Sequence, residues 1–401
     1  MKIGILTFHR SVNNGAFMQA YALSSEIKKR FPTDTVEIVD FTPPSVVNNY
    51  SYSLAAYFRH STPRVFAGKL LQLLRDPLYL KRMRKRTAVF DTAAGALPLS
   101  EKKIVSSNYE EVYAYINDNY DALIVGSDAV WNFHLRGYPN PYFPDSHVTA
   151  HKLSYAASCY GMDFLKCAED TRKSIAGVFD GFDFIGVRDA ATEEMVRWSG
   201  STAIPVHTCD PTALLDVESL PVSRADFEKK LAARGFDFNR PAIGMMGDNA
   251  MFSMIKNMYG DRYQIVALYN YIKGADVNLY DISPFEWAYA FRYFKVTFTT
   301  FFHGTMLSLR NGTPLICIAL KTDFAKAHTP KTLDVLRRCG LSDWYFETDY
   351  RSENLDRIKK TADELIDGDY RAFILKQINA EAKSFDAFAE ALENIKKNNE
   401  R

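Results

Sequence analysis

The sequence predicts an α/β protein of two Rossmann-like domains that face one another across a cleft. The chain has 401 residues, which is more than one hydrophobic core usually organises. Short β-rich runs alternate with helical patterns in both halves, as in parallel sheets that are covered by helices. A polar stretch that contains Pro211 and Pro221 separates the halves. We therefore expect an N-terminal domain over 1–205 and a C-terminal domain over 206–401.

The expected strands end in small or charged residues and lead into helices or loops. The runs that predict them are 2–8, 36–41, 121–128, 152–158 and 184–189, then 241–247, 263–270, 295–300 and 314–320. A turn at 13–15 should precede a first helix over 16–30. The end of the chain, 356–399, has a helical pattern throughout and could pack back on the first domain. Ligands of open α/β sheets bind beyond the carboxyl ends of such strands.

Composition and charge exclude several classes of protein. The net charge is +1, so the chain as a whole is not attracted to nucleic acid. The five cysteines have no C-x-x-C spacing, and no His or Asp cluster has metal-ligand spacing. We therefore expect neither a disulfide scaffold nor a metal. The N-terminus is too short for a signal-peptide core, and no apolar run approaches about 18 residues, so we expect a cytoplasmic protein.

Residues 44–105 break the strand–helix rhythm and form a helical insertion. Between Arg59 and Arg86 there are nine Lys or Arg residues against one acid, Asp76, with apolar residues interleaved. A basic amphipathic helix over 59–86 could lie on an anionic membrane surface. The preferred interpretation is a solvated arm whose Lys and Arg side chains face water, because charge runs usually form solvated faces.

Seven segments carry a recognisable pattern through most of the chain. They are NNGAFMQAYAL (13–23), YDALIVGSDAVWN (120–132), SYAAS (154–158), IGVRD (185–189), CDPTALL (209–215), SPFEWAYAF (283–291) and FFHGTMLSLRNGTPLICI (301–318). In order and spacing they resemble the polysaccharide pyruvyl transferase family. Many members of that family have Arg two residues before the motif histidine, where this sequence has Phe301. A further Arg of the branch that this sequence resembles falls on Lys331.

The resemblance implies transfer of the pyruvyl group of phosphoenolpyruvate to sugar hydroxyls as a ketal, in bacterial surface polysaccharide biosynthesis. It implies a fold similar to the two-domain GT-B glycosyltransferases. Phosphoenolpyruvate would be the donor substrate, with no separate cofactor. The acceptor would be a saccharide: a free sugar, a lipid-linked oligosaccharide at the inner face of the cytoplasmic membrane and a finished polymer are the three alternatives.

A donor with nearly three negative charges needs cations and backbone donors. Arg188 ends a strand, and its guanidinium suits bidentate recognition of carboxylate or phosphate. Lys331 can supply a second, point-like charge. A helix that is expected to begin near Gly304 and Thr305 offers free N–H groups and the positive end of its dipole. We expect these four residues to bind the donor.

His303 lies at the seam between an expected strand and this helix. Ketal formation needs a proton donor near C3 of the enol and a base near the sugar hydroxyl. Histidine can carry a proton in either direction near neutral pH, so His303 is the predicted acid–base residue. The alternative is a core histidine that is hydrogen-bonded to a neighbouring carbonyl.

The acceptor side is predicted from residues that follow strands in the first half. Asp128 is either the base for the sugar hydroxyl or an acceptor-binding carboxylate, unless it forms a helix N-cap with Ser127. Asn13 and Gly15 either line the acceptor cleft or form a plain left-handed turn. Trp131 could stack on a sugar face.

Two further residues and two further functions complete the expectations. Asp210 is expected to be an Asx-turn residue rather than a catalyst, and Trp287 a core residue.

A nucleotide-sugar glycosyltransferase of the same general fold is an alternative that would need a nucleoside site. A catalytically inactive glycan-binding relative is the other alternative, which Phe301 favours.

Overall fold

Two parallel sheets of six strands each form the two halves of the molecule, which confirms the predicted pair of Rossmann-like domains. The structure is a computed structural model that describes residues 1–49, 52, 68, 71, 73, 74, 76–320, 329–348, 350 and 354–399. Helices cover both sheets, and the core of each half lies between its sheet and these helices.

The first sheet has the order β2-β1-β3-β4-β5-β6 with every neighbouring pair parallel. Its strands are β1 (Lys2–Leu6), β2 (Thr35–Ile38), β3 (Ala122–Val125), β4 (His151–Ala157), β5 (Phe184–Val187) and β6 (Pro205–His207). Every residue of β3 is buried, because helices cover both faces of a parallel sheet. The chain leaves β1 for β2 on one side and returns to β3 on the other.

The second sheet has the order β12-β11-β10-β7-β8-β9 and is also parallel. Its strands are β7 (Ala242–Met246), β8 (Gln264–Ala267), β9 (Val277–Asn278), β10 (Phe294–Thr299), β11 (Leu315–Leu320) and β12 (Tyr345–Thr348). The strand order reverses between β7 and β10, as in doubly wound dinucleotide-binding folds.

Three strands were not expected from the sequence: β6, β9 and β12. All three are short, and each lies at the edge of its sheet, where a short strand lacks the continuous apolar run of a central one. The expected domain boundary at 205 falls inside β6, so the last strand of the first sheet extends past it.

The helices of the first half are α1 (Asn14–Arg30), α2 (Pro44–Asn49), α3 (Tyr79–Ala94), α4 (Tyr109–Asn119), α5 (Phe133–Arg136), α6 (Glu169–Asp180) and α7 (Ala190–Ser199). Those that follow are α8 (Arg224–Ala233), α9 (Asn249–Tyr259), α10 (Pro284–Ala290), α11 (Phe302–Arg310), α12 (Lys331–Arg338), α13 (Leu355–Asp367), α14 (Arg371–Ala382) and α15 (Phe385–Asn399).

Helix α1 begins at Asn14, two residues earlier than expected, because Asn13 caps it. The side chain of Asn13 accepts hydrogen bonds from the backbone N–H groups of Gly15 (2.9 Å) and Ala16 (3.4 Å). Asn13 is extended, with φ −135°, so the left-handed turn considered for 13–15 is wrong. Asn14 and Gly15 form the first turn of the helix instead.

Helix α3, in the insertion, packs against the second half of the molecule. The Arg82 guanidinium lies 4.3 Å from the ring centre of Tyr271, and Lys85 pairs with the buried Asp281 at 2.6 Å. Arg86 donates a hydrogen bond to the carbonyl of Tyr269 at 3.0 Å. The solvated-arm interpretation is therefore wrong for Arg82 and Arg86, whereas Lys85 is 62% exposed and faces water while it bridges the halves.

The rest of the predicted basic segment is only partly described. Arg59, Arg64, Lys69 and Arg75 lie outside the described residues. In the part of the chain that the structure describes, no helix is long and apolar enough to cross a membrane.

The last helix crosses back to the first sheet. The ring of Phe388 in α15 packs 5.0 Å from Tyr155 of β4 and 5.9 Å from Phe184 of β5, measured between ring centres. Lys396 in the same helix pairs with Asp34 beside β2 at 2.9 Å. The chain therefore passes between the halves near its middle and again at its end.

Candidate active site

The residues that follow the switch-point strands of both sheets meet between the two halves. Gly15 follows β1 and Asp128 follows β3, the two strands between which the order of the first sheet reverses. His303 follows β10, which borders the reversal in the second sheet. Ligands of open α/β sheets bind at such switch points, so this junction is the expected position for a site.

His303 lies directly on the backbone of Gly15. A Cβ atom built on Gly15 would lie 2.0 Å from Nδ1 of His303, so the ring occupies the space that any side chain at this position would need. The side chain of His303 is 12% exposed, and its Nε2 lies 3.7 Å from Oδ2 of Asp210. A histidine from the second half is thus held against the first turn of α1 in the first half.

Arg188 is the buried charge around which the acidic residues gather. Its guanidinium is 1% exposed and donates a 3.0 Å hydrogen bond to Asp210. Asp128 and Asp189 each lie 3.8 Å from other nitrogens of the same group. Burial alone would lower the pKa of Arg188, but the three carboxylates raise it above its ordinary value. Arg188 therefore stays charged.

Asp210 combines the expected turn role with a second one. Its Oδ1 accepts hydrogen bonds from the backbone N–H (3.0 Å) and hydroxyl of Thr212, as an Asx-turn residue does. Its Oδ2 faces Arg188 and accepts a hydrogen bond from the side-chain amide of Gln19. Burial opposes ionisation, but His303 and Arg188 hold the pKa of Asp210 well below its usual range. Asp210 is therefore ionised and links α1, β5 and His303.

Asp128 and Ser127 form the turn after β3. Asp128 has a left-handed backbone, with φ 76°, and its Oδ1 accepts a 2.8 Å hydrogen bond from the N–H of Ala129. Burial raises its pKa, whereas Arg188, Lys331 and His303 lower it, and the net pKa is below the usual value. Ser127 is 1% exposed, and its hydroxyl has no hydrogen-bond partner among the described residues.

Lys331, at the first position of α12, reaches the same junction. Its Nζ lies 4.6 Å from the ring centre of Tyr160 and 5.0 Å from that of Phe302. Arg188 lies 4.8 Å from the ring of Phe302, so the two cations share one aromatic residue. Burial, and then repulsion by Arg188, lower the pKa of Lys331 to about 8.

Helix α11 begins at Phe302, so Gly304 and Thr305 lie one turn inside it. No side chain in the described chain caps this helix, which leaves the first N–H groups without a helical partner. A Cβ on Gly304 would lie 2.2 Å from Oγ1 of Thr299, so the glycine allows the helix to pack on β10. The amide of Thr305 donates to the carbonyl of Phe301, and Thr305 is buried. The N–H of Thr305 is therefore unavailable to a donor, whereas Gly304 lies in the first turn, whose N–H groups have no helical partner.

Trp131 lies away from the junction. It is fully buried, its indole N–H donates to the carbonyl of Tyr142 at 2.9 Å, and its ring packs 4.8 Å from that of Phe179. This position rules out the expected stacking on a sugar face. Trp287 is also fully buried, as predicted for a core residue.

Sequence reasoning missed Gln19 and Asp189 as residues of the junction. It also missed the second role of Asp210, whose Oδ2 faces Arg188 and His303. Each lies inside a segment that the pattern had singled out, namely 13–23, 185–189 and 209–215. A signal existed for Gln19, which is a polar residue in the apolar stretch of α1 and is fully buried. Asp189 and Asp210 are indistinguishable in sequence from ordinary N-cap residues, a role that both also have.

Solved structures that resemble this protein show its fold. UDP-GlcNAc 2-epimerase from Neisseria meningitidis, bound to UDP-GlcNAc, is 10% identical with a TM-score of 0.52, and the alignment covers 98% of this chain and 100% of that chain. The UDP-GlcNAc 2-epimerase from Methanocaldococcus jannaschii is 10% identical with a TM-score of 0.50, covering 92% and 94%. The fold class is thus that of GT-B proteins.

The sequence defines the family more narrowly. The model of the polysaccharide pyruvyl transferase family matches residues 13–322, which is well over half of the chain. The chain therefore belongs to the polysaccharide pyruvyl transferase family. The matched range contains His303, Arg188 and Asp210, whereas Lys331 lies beyond it. A comparison with curated proteins found no match.

The contact between Gly15 and His303 can be tested by adding one methyl group. Gly15→Ala should displace the imidazole and destabilise the protein by about 1–3 kcal/mol, the usual cost of overpacking. Gly177→Ala is the control: it lies in α6 with no atom within 4 Å of the added carbon, and it should be neutral or stabilising. Urea unfolding measures both changes, and the ring NMR signals of His303 should move only in Gly15→Ala. Unchanged signals in that variant would contradict the contact.

Proposed function

We propose that this protein transfers the pyruvyl group of phosphoenolpyruvate to hydroxyls of a saccharide and forms a ketal. The observation that carries the proposal is the meeting of His303 with Gly15 and Asp210 beside the buried Arg188, between the two halves. An imidazole that can transfer protons thus lies next to charged groups at a double switch point. Membership of the polysaccharide pyruvyl transferase family supports the same reaction.

The charged groups at the junction do not by themselves neutralise the donor. Arg188 and Lys331 face three carboxylates, Asp128, Asp189 and Asp210, so these five groups together carry one negative charge when all are ionised. A donor with nearly three negative charges adds to this excess. The free N–H groups at the start of α11 provide stabilisation of the anion.

His303 supplies the proton that the first step of the reaction needs. In the first step a sugar hydroxyl forms a bond to C2 of phosphoenolpyruvate and passes its proton to the phosphate, while His303 gives a proton to C3. Phosphate then leaves with the C2–O electron pair, and the resulting oxocarbenium ion is captured by a second hydroxyl, whose proton returns to His303. Because the pKa of Asp128 is low, this carboxylate suits a hydrogen-bond acceptor that orients a hydroxyl better than a strong base.

The acceptor is assigned to a cavity of about 290 Å³ in the first half. Such a volume is at the lower end of small-molecule sites and suits one or two sugar rings. The cavity combines apolar faces with hydroxyl and charged groups, a mixture that fits a sugar; its lining includes Arg10, Ser11, Val12, Thr42, Phe90 and Asp91. The loop that carries Ser11 and Val12 continues directly to Gly15, on which His303 lies.

The experiment that tests the function is incubation with phosphoenolpyruvate and a panel of saccharides. Release of inorganic phosphate, with addition of one pyruvyl group to the sugar by mass spectrometry, is the expected result. His303→Ala should lower turnover by about 10²-fold or more through loss of acid–base catalysis, whereas His147→Ala, an exposed histidine, should not. Turnover of a nucleotide sugar without phosphate release from phosphoenolpyruvate would overturn the proposal.

The low pKa of Lys331 predicts how donor affinity depends on pH. Lysine is charged below its pKa, so the cation is present at pH 7 and is lost as the pH rises through about 8. The dissociation constant for phosphoenolpyruvate should therefore increase above pH 8, approaching about tenfold per pH unit. Calorimetry between pH 7 and 9.5 measures it, in a range where the phosphate is already fully ionised.

The matched variant for this pH dependence is Lys331→Arg, which keeps a charge throughout the range. It should remove most of the increase above pH 8, whereas Lys331→Met should bind weakly at every pH. An identical pH profile in wild type and Lys331→Arg would exclude Lys331 as the titrating group.

A lipid-linked acceptor would bring the insertion to a membrane surface. Leu71, Leu74 and Leu78 are 55%, 72% and 57% exposed and follow one another at spacings of three and four residues. Leu78 lies in the turn before α3, so the three side chains do not share one helix. Exposed apolar side chains beside a run of Lys and Arg nevertheless suit an interfacial contact. Co-sedimentation with anionic liposomes should fall when these leucines are replaced together by serine, and equal binding of both proteins would argue against the contact.

A further inference from the structure

We propose that Arg86 of the insertion helix α3 binds the anionic donor, so that the donor site is completed by a residue outside both sheets. This inference rests on the proposed function. Arg86 and Arg188 are the two arginines that are buried in the described chain, at 4% and 1% exposure. They differ in their surroundings, because Arg188 faces three carboxylates.

Arg86 has no counter-charge among the residues that the structure describes. No carboxylate of the described residues lies within 4.0 Å of it, and its one hydrogen bond is from Nη1 to the carbonyl of Tyr269. Nε and Nη2 are buried and have no hydrogen-bond partner in the described structure. Burying a guanidinium with unpaired N–H groups costs free energy unless an anion accepts their hydrogen bonds. An anion bound here would remove that cost.

The two unpaired nitrogens form one edge of the guanidinium, the edge that binds a carboxylate or phosphate through two parallel hydrogen bonds. The same protein uses this edge elsewhere. Arg10 binds the two oxygens of Asp40 through its Nε and its Nη2. Arg86 presents the same pair of donors, but nothing in the described chain accepts from them.

The neighbours of Arg86 place it at the cleft. Its guanidinium lies 4.4 Å from the ring centre of Tyr269, which follows β8, and that ring lies 4.8 Å from Phe301, which follows β10 two residues before His303. On its other side Phe90 lies 5.8 Å away and contacts Phe17 of α1 at 6.1 Å. Arg86 is therefore flanked by two rings whose own partners, Phe301 and Phe17, lie two positions from His303 and from Gly15 in sequence.

Charge balance indicates the kind of anion. Arg188, Lys331 and the three carboxylates together already carry one net negative charge. A trianionic donor needs an additional cation whose charge is not used internally, and Arg86 is such a cation. We assign it to the phosphate or carboxylate of phosphoenolpyruvate, both of which match its two-donor edge.

The test compares two arginines of one helix. Arg86→Met removes the proposed contact, and Arg82→Met removes a cation that packs on Tyr271 one turn earlier and pairs with Asp76. Calorimetry with phosphoenolpyruvate should show a dissociation constant increased about thirtyfold or more for Arg86→Met. For Arg82→Met it should stay within about twofold of wild type. Thermal unfolding without ligand shows how much each change weakens the contact between the halves.

A structural role alone predicts a different pattern. If Arg86→Met binds phosphoenolpyruvate as wild type does, or if both variants weaken binding equally, Arg86 is only a bridge between the halves and the inference is overturned. Should Arg86→Met fail to fold, Arg86→Lys, which keeps the charge but not the paired donors, should still weaken binding about tenfold.

A second probe separates this inference from the proposed function. If wild type does not bind phosphoenolpyruvate, the proposed function fails. Titration with inorganic phosphate then tests Arg86 by itself: binding to wild type that is lost in Arg86→Met supports an anion site at this residue. Absence of phosphate binding to wild type would reject it.

Discussion

The positive charge of Arg188 is buried where the two halves meet, and the structure of the site depends on how that charge is balanced. A buried guanidinium is tolerated only when carboxylates and hydrogen bonds replace its hydration. Asp210 contributes the direct hydrogen bond, while Asp128 and Asp189 approach from the ends of β3 and β5. Three loops are thereby held around one cation, and the oxygen of Asp210 that binds Arg188 also faces His303.

The second constraint is steric and concerns the interface of the halves. His303 comes from the second sheet, yet its position is defined by the absence of a side chain at Gly15 in the first. A site of this kind exists only when both halves are in place, because the imidazole belongs to one half and the glycine on which it packs belongs to the other. The bridging residues of α3 support the same arrangement from the insertion, through Lys85 and Asp281.

Much of the fold could be predicted from the sequence, whereas the site could be predicted only in part. Central strands such as β3 are continuous apolar runs that end in small residues, so their pattern is clear; edge strands such as β9 are too short to form one. His303 and Arg188 were found because their residue types suit the chemistry. The double role of Asp210 was missed, because the sequence alone does not distinguish an Asp that forms a turn from an Asp that balances a buried charge. Arg86 makes its contacts because α3 packs against the second half of the molecule. A local sequence pattern does not predict such a contact between distant segments.

The return of α15 to the first sheet has a consequence for how the polypeptide can be divided. Tyr155 and Phe184 present aromatic surface that Phe388, more than two hundred residues later, covers. A polypeptide that stopped after β12 would contain all twelve strands and still expose this surface to water. Exposed aromatic patches promote self-association, so the first half cannot be regarded as an autonomous unit: its outer wall is completed by α15, which follows the second sheet in the chain.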